Sequence, residues 1–503
     1  MPRSTSANGS RGGADAPPVL HAGFAVLRTP LLPFDEYARW AALRANVDTH
    51  GAPEDQAAVL ERDYGALRDH LRALFDRPTL RDALFVASPE LCRAAAPFLA
   101  GETGGGERRV VRSLARYLAR AATRPTPFGL FAGCSVLPIG AVTSLQIEGA
   151  ARYRRHSRLD MDYVAQLARA AGSDPAARRA VPLRANTSLH AAAGRVHYVE
   201  TVYLERLRRY ALVAVDPAEA LRATLERARG GADFRVLAGA LADGEVSLAE
   251  AEEYVDELLD AQVLVPAIEP AITGREAAAV LADDLAAANV CQPVAAALAE
   301  TLARLRTLDA EGAGAPVEGY AHAAEPLAGL PVQADRARLY QVDLFKPAAA
   351  SASLGADVVA EIARGAGLLA RVVPQGDPLD DFVERFMERY ERREVPLLEA
   401  LDEEVGIALD AGQTTAAAQR RLQAARTHDL WLAELRVRAA AAGAGAVELD
   451  ESDLRRLDPR PSTPLPEAFG AMATLMASSP EALARGDFRV LLHNVMGPPG
   501  ASL

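Results

Sequence analysis

Arginine recurs at every fourth position from Arg108 to Arg124, through Arg112, Arg116 and Arg120. Residues four apart are neighbours on a helix, and each step drifts by about 40°, so the five guanidiniums form a slowly winding stripe. Val111, Leu114, Leu118 and Ala121 hold the opposite side and make the segment amphipathic. Like charges in one stripe repel unless an anion lies opposite, and a guanidinium binds phosphate or carboxylate bidentately while keeping its charge. The chemistry on offer is anion anchorage, with a solvated basic face as the alternative. Lys346 is the only lysine of the chain, so a general preference for arginine inflates any arginine count. Arg124-Pro125-Thr126-Pro127 must end the helix, because each proline lacks a donor and turns the residue before it away from α.

Two more stretches carry charge in a pattern that asks for a partner. Tyr153 to Tyr163 reads YRRHSRLDMDY, a second basic cluster closing on Asp160 and Asp162. Tyr340-Gln-Val-Asp343-Leu-Phe345 is a strand with one acid inside it. A carboxylate in an apolar strand is costly unless paired, so Asp343 is either half of a buried ion pair or a site acid. The chain has no GxxxxGK[ST] phosphate loop, no HExxH and no GxSxG. Gly104-Gly-Gly-Glu precedes a helix but follows no convincing strand, which leaves a dinucleotide fingerprint unsupported. The nine histidines are scattered without ligand spacing, and Cys92, Cys134 and Cys291 form neither a disulfide framework nor a CxxC pair. No metal site and no bound cofactor are expected, and without a nucleotide loop the chain is expected to receive its acyl donor already activated.

Half the residues are apolar and about a quarter are charged, as in ordinary globular proteins. The net charge of −12 argues against a surface coated for nucleic acid, although one local basic groove remains compatible with it. No apolar run reaches the roughly 20 residues that span a bilayer, and the polar, Pro/Gly-rich start has no signal-peptide segment. Residues 1–20 read as a disordered arm, and a reducing cytoplasm fits the cysteine usage.

The segment Arg120-Ala-Ala-Thr123-Arg124-Pro-Thr126-Pro-Phe-Gly-Leu-Phe-Ala-Gly133 resembles the signature of the N-terminal, glutamylating domain of lantibiotic dehydratases. Further blocks are similar to the same family: a strand ending in Arg28-Thr-Pro, the Arg158-x-Asp160-Met161-x-Tyr163 element, the Gln341-x-Asp343-Leu stretch, and Arg385-Phe…Arg389-Tyr…Val395-Pro396-Leu. The resemblance implies an enzyme that takes glutamyl-tRNA as co-substrate and esterifies Ser or Thr of a ribosomal precursor peptide, in lantibiotic- or thiopeptide-type biosynthesis. It places Arg28, Arg120, Arg124, Thr126, Asp160 and Asp343 in the catalytic set, with a stripe arginine as partner of Asp343. The outer stripe residues Arg108, Arg112 and Arg116 are expected to hold tRNA. The family normally runs on past a Gly-Pro-x-Gly turn such as Gly497-Pro-Pro-Gly500, so the resemblance implies a domain incomplete at its C-terminus. Such a chain is expected to form no dehydroalanine alone, and either to pair with a second polypeptide or to expose an apolar face near 470–503. A separate elimination protein and a cyclase are the further partners implied, and a homodimer stays open. A ligase that appends another amino acid from its tRNA to a peptide, and a non-catalytic leader-binding subunit, are the alternatives.

The elements that must position these residues read as a multi-lobed α+β protein. Residues 21–180 form an N-terminal lobe: a strand at Phe24–Leu27 broken by Arg28-Thr29-Pro30, an Asp35-capped helix, helical periodicity from Glu54 to Leu99 with a restart at Ser88-Pro89, and then the arginine helix. Residues 181–268 stand apart as two strands (Val196–Tyr203 and Tyr210–Val215), three helices and a short strand, the third helix opened by a Ser247/Glu250 capping box. That order resembles a winged-helix unit of the kind that holds leader peptides, with scaffold duty as the alternative. The leader is expected as a strand beside Val196, Tyr198, Val199 and Tyr203. DNA is not an expected partner, because the third helix is acidic (Glu250, Glu252, Glu253, Asp256, Glu257). Residues 269–503 complete the domain, mostly with Ala/Leu/Arg-rich helices.

Overall fold

The computed structural model describes residues 19–44, 53–102, 104–204, 207–243, 245–372, 379–407, 409, 415–443, 445–457 and 467–497. The arm expected over residues 1–20 lies outside them except for its last two residues. The chain opens with β1 (Phe24–Pro30) and five helices, α1 (Phe34–Ala41), α2 (Pro53–Phe75), α3 (Pro78–Ala87), α4 (Pro89–Leu99) and α5 (Glu107–Thr123). β2 (Ala132–Gly140), β3 (Arg154–Leu159), α6 (Met161–Gly172) and α7 (Pro175–Ala180) follow. Next come β4 (Leu183–Ala185), β5 (His190–Ala192), β6 (Arg195–Leu204), β7 (Leu207–Val215), α8 (Glu219–Ala228), α9 (Phe234–Leu241), α10 (Leu248–Asp260) and β8 (Leu264–Pro266). The remainder is α11 (Ala277–Ala287), α12 (Gln292–Ala310), α13 (Glu318–Ala324), β9 (Tyr340–Phe345), β10 (Leu354–Gly355), α14 (Ala356–Val372), α15 (Asp380–Tyr390), α16 (Leu397–Ala400), α17 (Thr415–Ala442), α18 (Glu451–Leu457), β11 (Gly470–Met476), α19 (Pro480–Ala484) and β12 (Arg489–Met496). The α+β class expected from the sequence is what the chain adopts. No helix among the described residues is long and apolar enough to cross a membrane.

The central sheet has the order β1-β2-β9-β3, with β10 beside the far end of β2. β1 does not stop at Leu27. Its antiparallel ladder with β2 continues through Arg28↔Cys134 and Thr29↔Gly133 to Pro30↔Ala132. Proline is tolerated there because β1 is an edge strand and needs no outward donor. β9 inserts between β2 and β3, parallel to the first and antiparallel to the second. The lobe expected over 21–180 therefore takes its middle strand from residues 340–345, and the two outer segments of the chain make one body. Two cores back this body. One gathers Leu71, Phe75, Leu114, Leu118, Phe131 and Leu344, and the other joins α6, α11 and α12 around Leu167, Leu281 and Leu298.

Residues 183–266 carry a core of their own, with Tyr198, Phe234, Val255 and Leu264 at its centre. β4 pairs with β8, so the module leaves the body and returns to it at adjacent strands. The expected Ser247/Glu250 capping box opens α10, and Ser88 caps α4 as the Ser-Pro pair implied. The Asp35 cap is not realised: Pro33 occupies the N-cap of α1, and Asp35 lies in the first turn. Towards the C-terminus, the hairpin of β11 and β12 exposes Met472, Met476, Leu491 and Met496.

Candidate functional site

Pleating divides the central sheet into two chemically distinct faces. Leu344, Val342, Arg155, Ser157 and Leu159 point inward, while Arg28, Cys134, Gln341, Asp343, Arg154, His156 and Arg158 share the outward face by register. Asp343 is exposed, not buried, and its partner is not a stripe arginine. Arg158 Nη2 of the neighbouring strand lies 2.9 Å from Asp343 Oδ2. Arg158 is the diagonal cross-strand neighbour of Asp343, whose direct partner in the ladder is His156, and side chains at that spacing meet on one face of the sheet. Arg158 Nε also donates to Gln341 Oε1 (3.2 Å), and Gln341 Nε2 donates to Asp160 Oδ2 (3.1 Å). Asp160 caps α6, its Oδ1 accepting the Asp162 N–H at 3.0 Å. Asp343, Arg158, Gln341 and Asp160 thus form one chain of polar contacts. Arg28 lies two strands and two residues from Asp343, about 12 Å between Cα atoms at ordinary sheet spacing. Arg28 and Asp343 act on Cys134 with opposite signs: burial pushes the thiol up, Arg28 pulls it down, and Asp343 pushes it up again.

The stripe of α5 divides into unlike parts. Its apolar face, Val111, Leu114, Leu118, Ala121 and Ala122, is buried. Arg108 is satisfied locally by Glu61 and by the Tyr64 ring, 4.9 Å from its guanidinium. Arg112 and Arg116 are exposed and have no ion-pair partner among the described residues. Arg120 is half-buried over the Phe128 ring at 4.2 Å, and its Nε is buried with no hydrogen-bond partner. Burial, then repulsion from Arg124, holds its pKa below the usual arginine range. Arg124 is the extended C-cap of the helix, and Thr126 lies exposed in the loop that leads into β2. The end of β1 reaches this loop: Leu32 N–H donates to Ala121 O at 2.8 Å and Leu31 N–H to Phe131 O at 3.0 Å. Arg28 and the end of the stripe are therefore held by adjoining backbone.

Two groups here, Glu276 and Arg155, carry no signal in the sequence, and a third, Arg158, carries only a partial one. Arg158 was visible only as part of a family element, and its pairing with Asp343 needs the strand register. Glu276, at the start of α11, has a buried Oε1 with no hydrogen-bond partner. Burial pushes its carboxyl up, while His156, Arg306 and Arg158 pull it down. Nothing in the Gly-Arg-Glu-Ala-Ala-Ala run around it signals this. Behind the sheet, Arg155 is completely buried and donates to Asp82 Oδ2 (2.7 Å) and Asp309 Oδ1 (3.0 Å). Asp82 also accepts from Tyr320 Oη (2.7 Å) and from the N–H groups of Gly314 (3.0 Å) and Ala315 (3.1 Å). Oδ2 of that carboxylate accepts three of these bonds and Oδ1 the one from Tyr320, and β3 is fixed from behind to α3, α12 and α13.

The peptide-binding residues expected on β6 fare differently. Tyr198 is 2% exposed in the core of the module and cannot meet a ligand. Val196 and Val199 are half-buried, and the side chain of Tyr203 lies outside the described residues. Strand addition beside β6 is blocked as well. β7 covers one edge from 196 to 204 and β5 the other from 195 to 197. Beyond β5, side chains take the place of a strand: Ser188 Oγ accepts the Val199 N–H (2.8 Å), Asn186 Nδ2 donates to Val199 O (3.2 Å), and Gln262 bonds both N–H and C=O of Thr201 (2.9 and 3.0 Å). The outer strands of this sheet are β5 and β7, and on β7 Tyr210 and Leu212 are 68% and 64% exposed. The same hairpin corrects the reading of the histidines as scattered: His190 and His197 face one another across β5 and β6, with Asp402 beside them.

The chain is thus an α+β body whose outward sheet face carries arginines around an acid, beside a helix edged with unpaired arginines. The sequence profile of the family described as lantibiotic dehydratase, N terminus, matches residues 76–503, and the chain belongs to that family. Among solved structures it is similar to the tRNA dependent lantibiotic dehydratase MibB from Microbispora sp. 107891, at 24% identity and a TM-score of 0.68 over 94% of this chain and 44% of that one. It is also similar to the TbtB glutamylation domain from thiomuracin biosynthesis, at 19% identity and a TM-score of 0.56 over 88% of this chain and 56% of that one. A second structure of that domain, bound to 5'-phosphodesmethylglutamycin, matches at 17% identity with a TM-score of 0.57. The chain spans about half the length of these solved proteins. No curated protein sequence matches it.

Proposed function

We propose that this chain transfers a glutamyl group from glutamyl-tRNA to Ser or Thr side chains of a ribosomally made precursor peptide. The hydroxyl oxygen attacks the ester carbonyl, the bond from that carbonyl to the terminal ribose oxygen breaks, and the hydroxyl proton ends on the ribose oxygen. The observation that carries the reading is the outward sheet face, where Asp343 and Arg158 share a face with Arg28, whose strand runs on into backbone bonded to the end of the stripe. In this reading Arg112, Arg116, Arg120 and Arg124 anchor tRNA phosphates, which bind bidentately to guanidinium. Arg28 and Arg158 meet the anionic end of the donor amino acid. Asp343 meets its ammonium or accepts the hydroxyl proton, and Thr126 and Asp160 border the approach. The co-substrate is the aminoacyl-tRNA, with no further cofactor. The leader is held by the module over 181–268, as a strand added at the outer edge of β7. The solved relatives support the reading by what they are, a tRNA dependent dehydratase and a glutamylation domain.

The test is reconstitution with precursor peptide, tRNA, glutamate and its synthetase, read by mass spectrometry. Glutamyl increments on Ser or Thr side chains, abolished in Arg124→Ala, are the expected result. An increment at the peptide terminus would assign the chain to peptide ligation, and leader binding without any increment would make it a binding subunit. Either of those outcomes would overturn the proposal.

A further inference from the structure

We propose that His190, His197 and Asp402 form a binding site for a divalent cation of the zinc class, which staples the 183–266 module to the segment after α16. One nitrogen from each histidine and one carboxylate oxygen lie within 4.8 Å of one another. The hairpin turn at Ala193 and Gly194, both with positive φ, sets His190 directly opposite His197, with ring centroids 5.4 Å apart and planes 28° from parallel. Tetrahedral zinc, with bonds of roughly 2.0–2.2 Å to nitrogen and oxygen, asks for ligand atoms about 3.4 Å apart, so small side-chain rotations close the site.

The state of each donor atom favours a cation. His197 is 7% exposed, and its Nε2 is buried with no hydrogen-bond partner. A buried nitrogen left so is costly unless something binds it. His190 Nδ1 lies 3.1 Å from the Ser188 carbonyl, which can only accept, so the proton sits on Nδ1 and the Nε2 lone pair is free. That is the orienting contact that metal-bound histidines characteristically make. Asp402 Oδ1 accepts the N–H groups of Glu404 and Val405, each at 2.9 Å, and Oδ2 carries no hydrogen bond among the described residues. The Asp402 loop is rigid. Arg389 donates to the carbonyls of Gly406 (2.9 Å) and Val405 (2.7 Å), and a Cβ at Gly406 would stand 2.2 Å from Glu399 O. Two nitrogens and one carboxylate oxygen make a three-ligand set that leaves a fourth position for water. The function assigned is structural: the module and the α15–α16 segment meet here, and the inference stands apart from the acyl-transfer reading.

The test uses the full chain purified without a polyhistidine tag, stripped with a chelator and titrated with zinc chloride against a chromophoric competitor. Equimolar zinc binding, a raised melting temperature and, with cobalt, the visible bands of a four-coordinate N/O site are expected. His190→Ala and His197→Ala should each weaken binding by more than about 100-fold, beyond what loss of an outer partner brings. Asp402→Asn keeps the Oδ1 acceptor and hence the loop, so its circular dichroism should match wild type while zinc binding falls by more than about tenfold. Absence of equimolar zinc in the wild type, or zinc binding that the three substitutions leave unchanged, would overturn the proposal.

Discussion

Arg155 and Arg158 lie three residues apart on β3, on opposite faces of the sheet, and their replacement should give opposite results. The Arg155 side chain is 0% exposed, as is that of Asp82. Arg155→Ala leaves Asp82 in the core with Tyr320 and two backbone N–H groups but no cation. Removing one partner of a buried pair costs about 3–5 kcal/mol. The Arg158–Asp343 pair is 39% and 58% exposed, so its loss costs within about 1 kcal/mol. Transfer activity should follow the reverse order, lost in Arg158→Ala at nearly native stability. Trp40 provides the probe, since it packs against the core that contains Leu71 and Leu114 and its Nε1 donates to Leu67 O at 3.1 Å. Urea unfolding followed by Trp40 fluorescence, in a Trp431→Phe background, should show a large downward shift of midpoint for Arg155→Ala and a small one for Arg158→Ala. Equal shifts in the two variants, or a native midpoint in Arg155→Ala, would refute the two-faced account of β3.

Affinity for tRNA should fall steeply with salt, and Arg112→Ala, Arg116→Ala or Arg124→Ala should each reduce the slope by about one. Arg108→Ala should change it little, because Glu61 already neutralises that position; an equal effect would return Arg108 to the binding set. Iodoacetamide should modify Cys134 slowly below its raised pKa, faster in Asp343→Asn and slower in Arg28→Gln, with unchanged rates showing that neither charge reaches the thiol. Burial lowers the Lys346 ammonium to about 8 from its ordinary 10.5, so the folded chain binds fewer protons than the unfolded chain between those values. Stability contributed by this group therefore rises as pH increases from about 8 to 10.5. Replacement by methionine should flatten that part of the stability–pH curve, and an identical curve would mean that Lys346 does not titrate there.

What could be read from the sequence was whatever is local. Four-residue periodicity and the Arg-Pro-Thr-Pro stop place α5 at 107–123, and Ser88 and the Ser247/Glu250 box cap their helices as their spacing demands. The acid within Tyr340–Phe345 is conspicuous in any reading. Its partner is not, because Arg158 reaches Asp343 only through strand register between segments far apart in the chain. The same holds for Glu276, whose burial comes from tertiary packing, and for His190, whose neighbour Asp402 belongs to a distant loop. The β6 edge misled for another reason. Its alternating pattern is that of a strand open to addition, while the groups that close it are Asn186 and Ser188, polar residues of the kind that usually mark turns, and Gln262, which comes from a distant segment.

The placement of β9 sets an order on the birth of the protein. Its two neighbours, β2 and β3, leave the ribosome well before it, and at roughly 5–20 residues per second the gap between Leu159 and Tyr340 lasts about 10–40 s. During that interval both strands carry an unpaired edge, the feature through which nascent chains pair wrongly. The module over 183–266 is synthesised inside the same interval and, with a core of its own, can close while the body waits. When β9 arrives it joins both open edges at once and brings Asp343 opposite His156 and beside Arg158. The acid of the candidate site and the strand that joins β2 to β3 are thus delivered in a single late step, so a chain interrupted before Phe345 lacks the joined sheet and Asp343's pairing together.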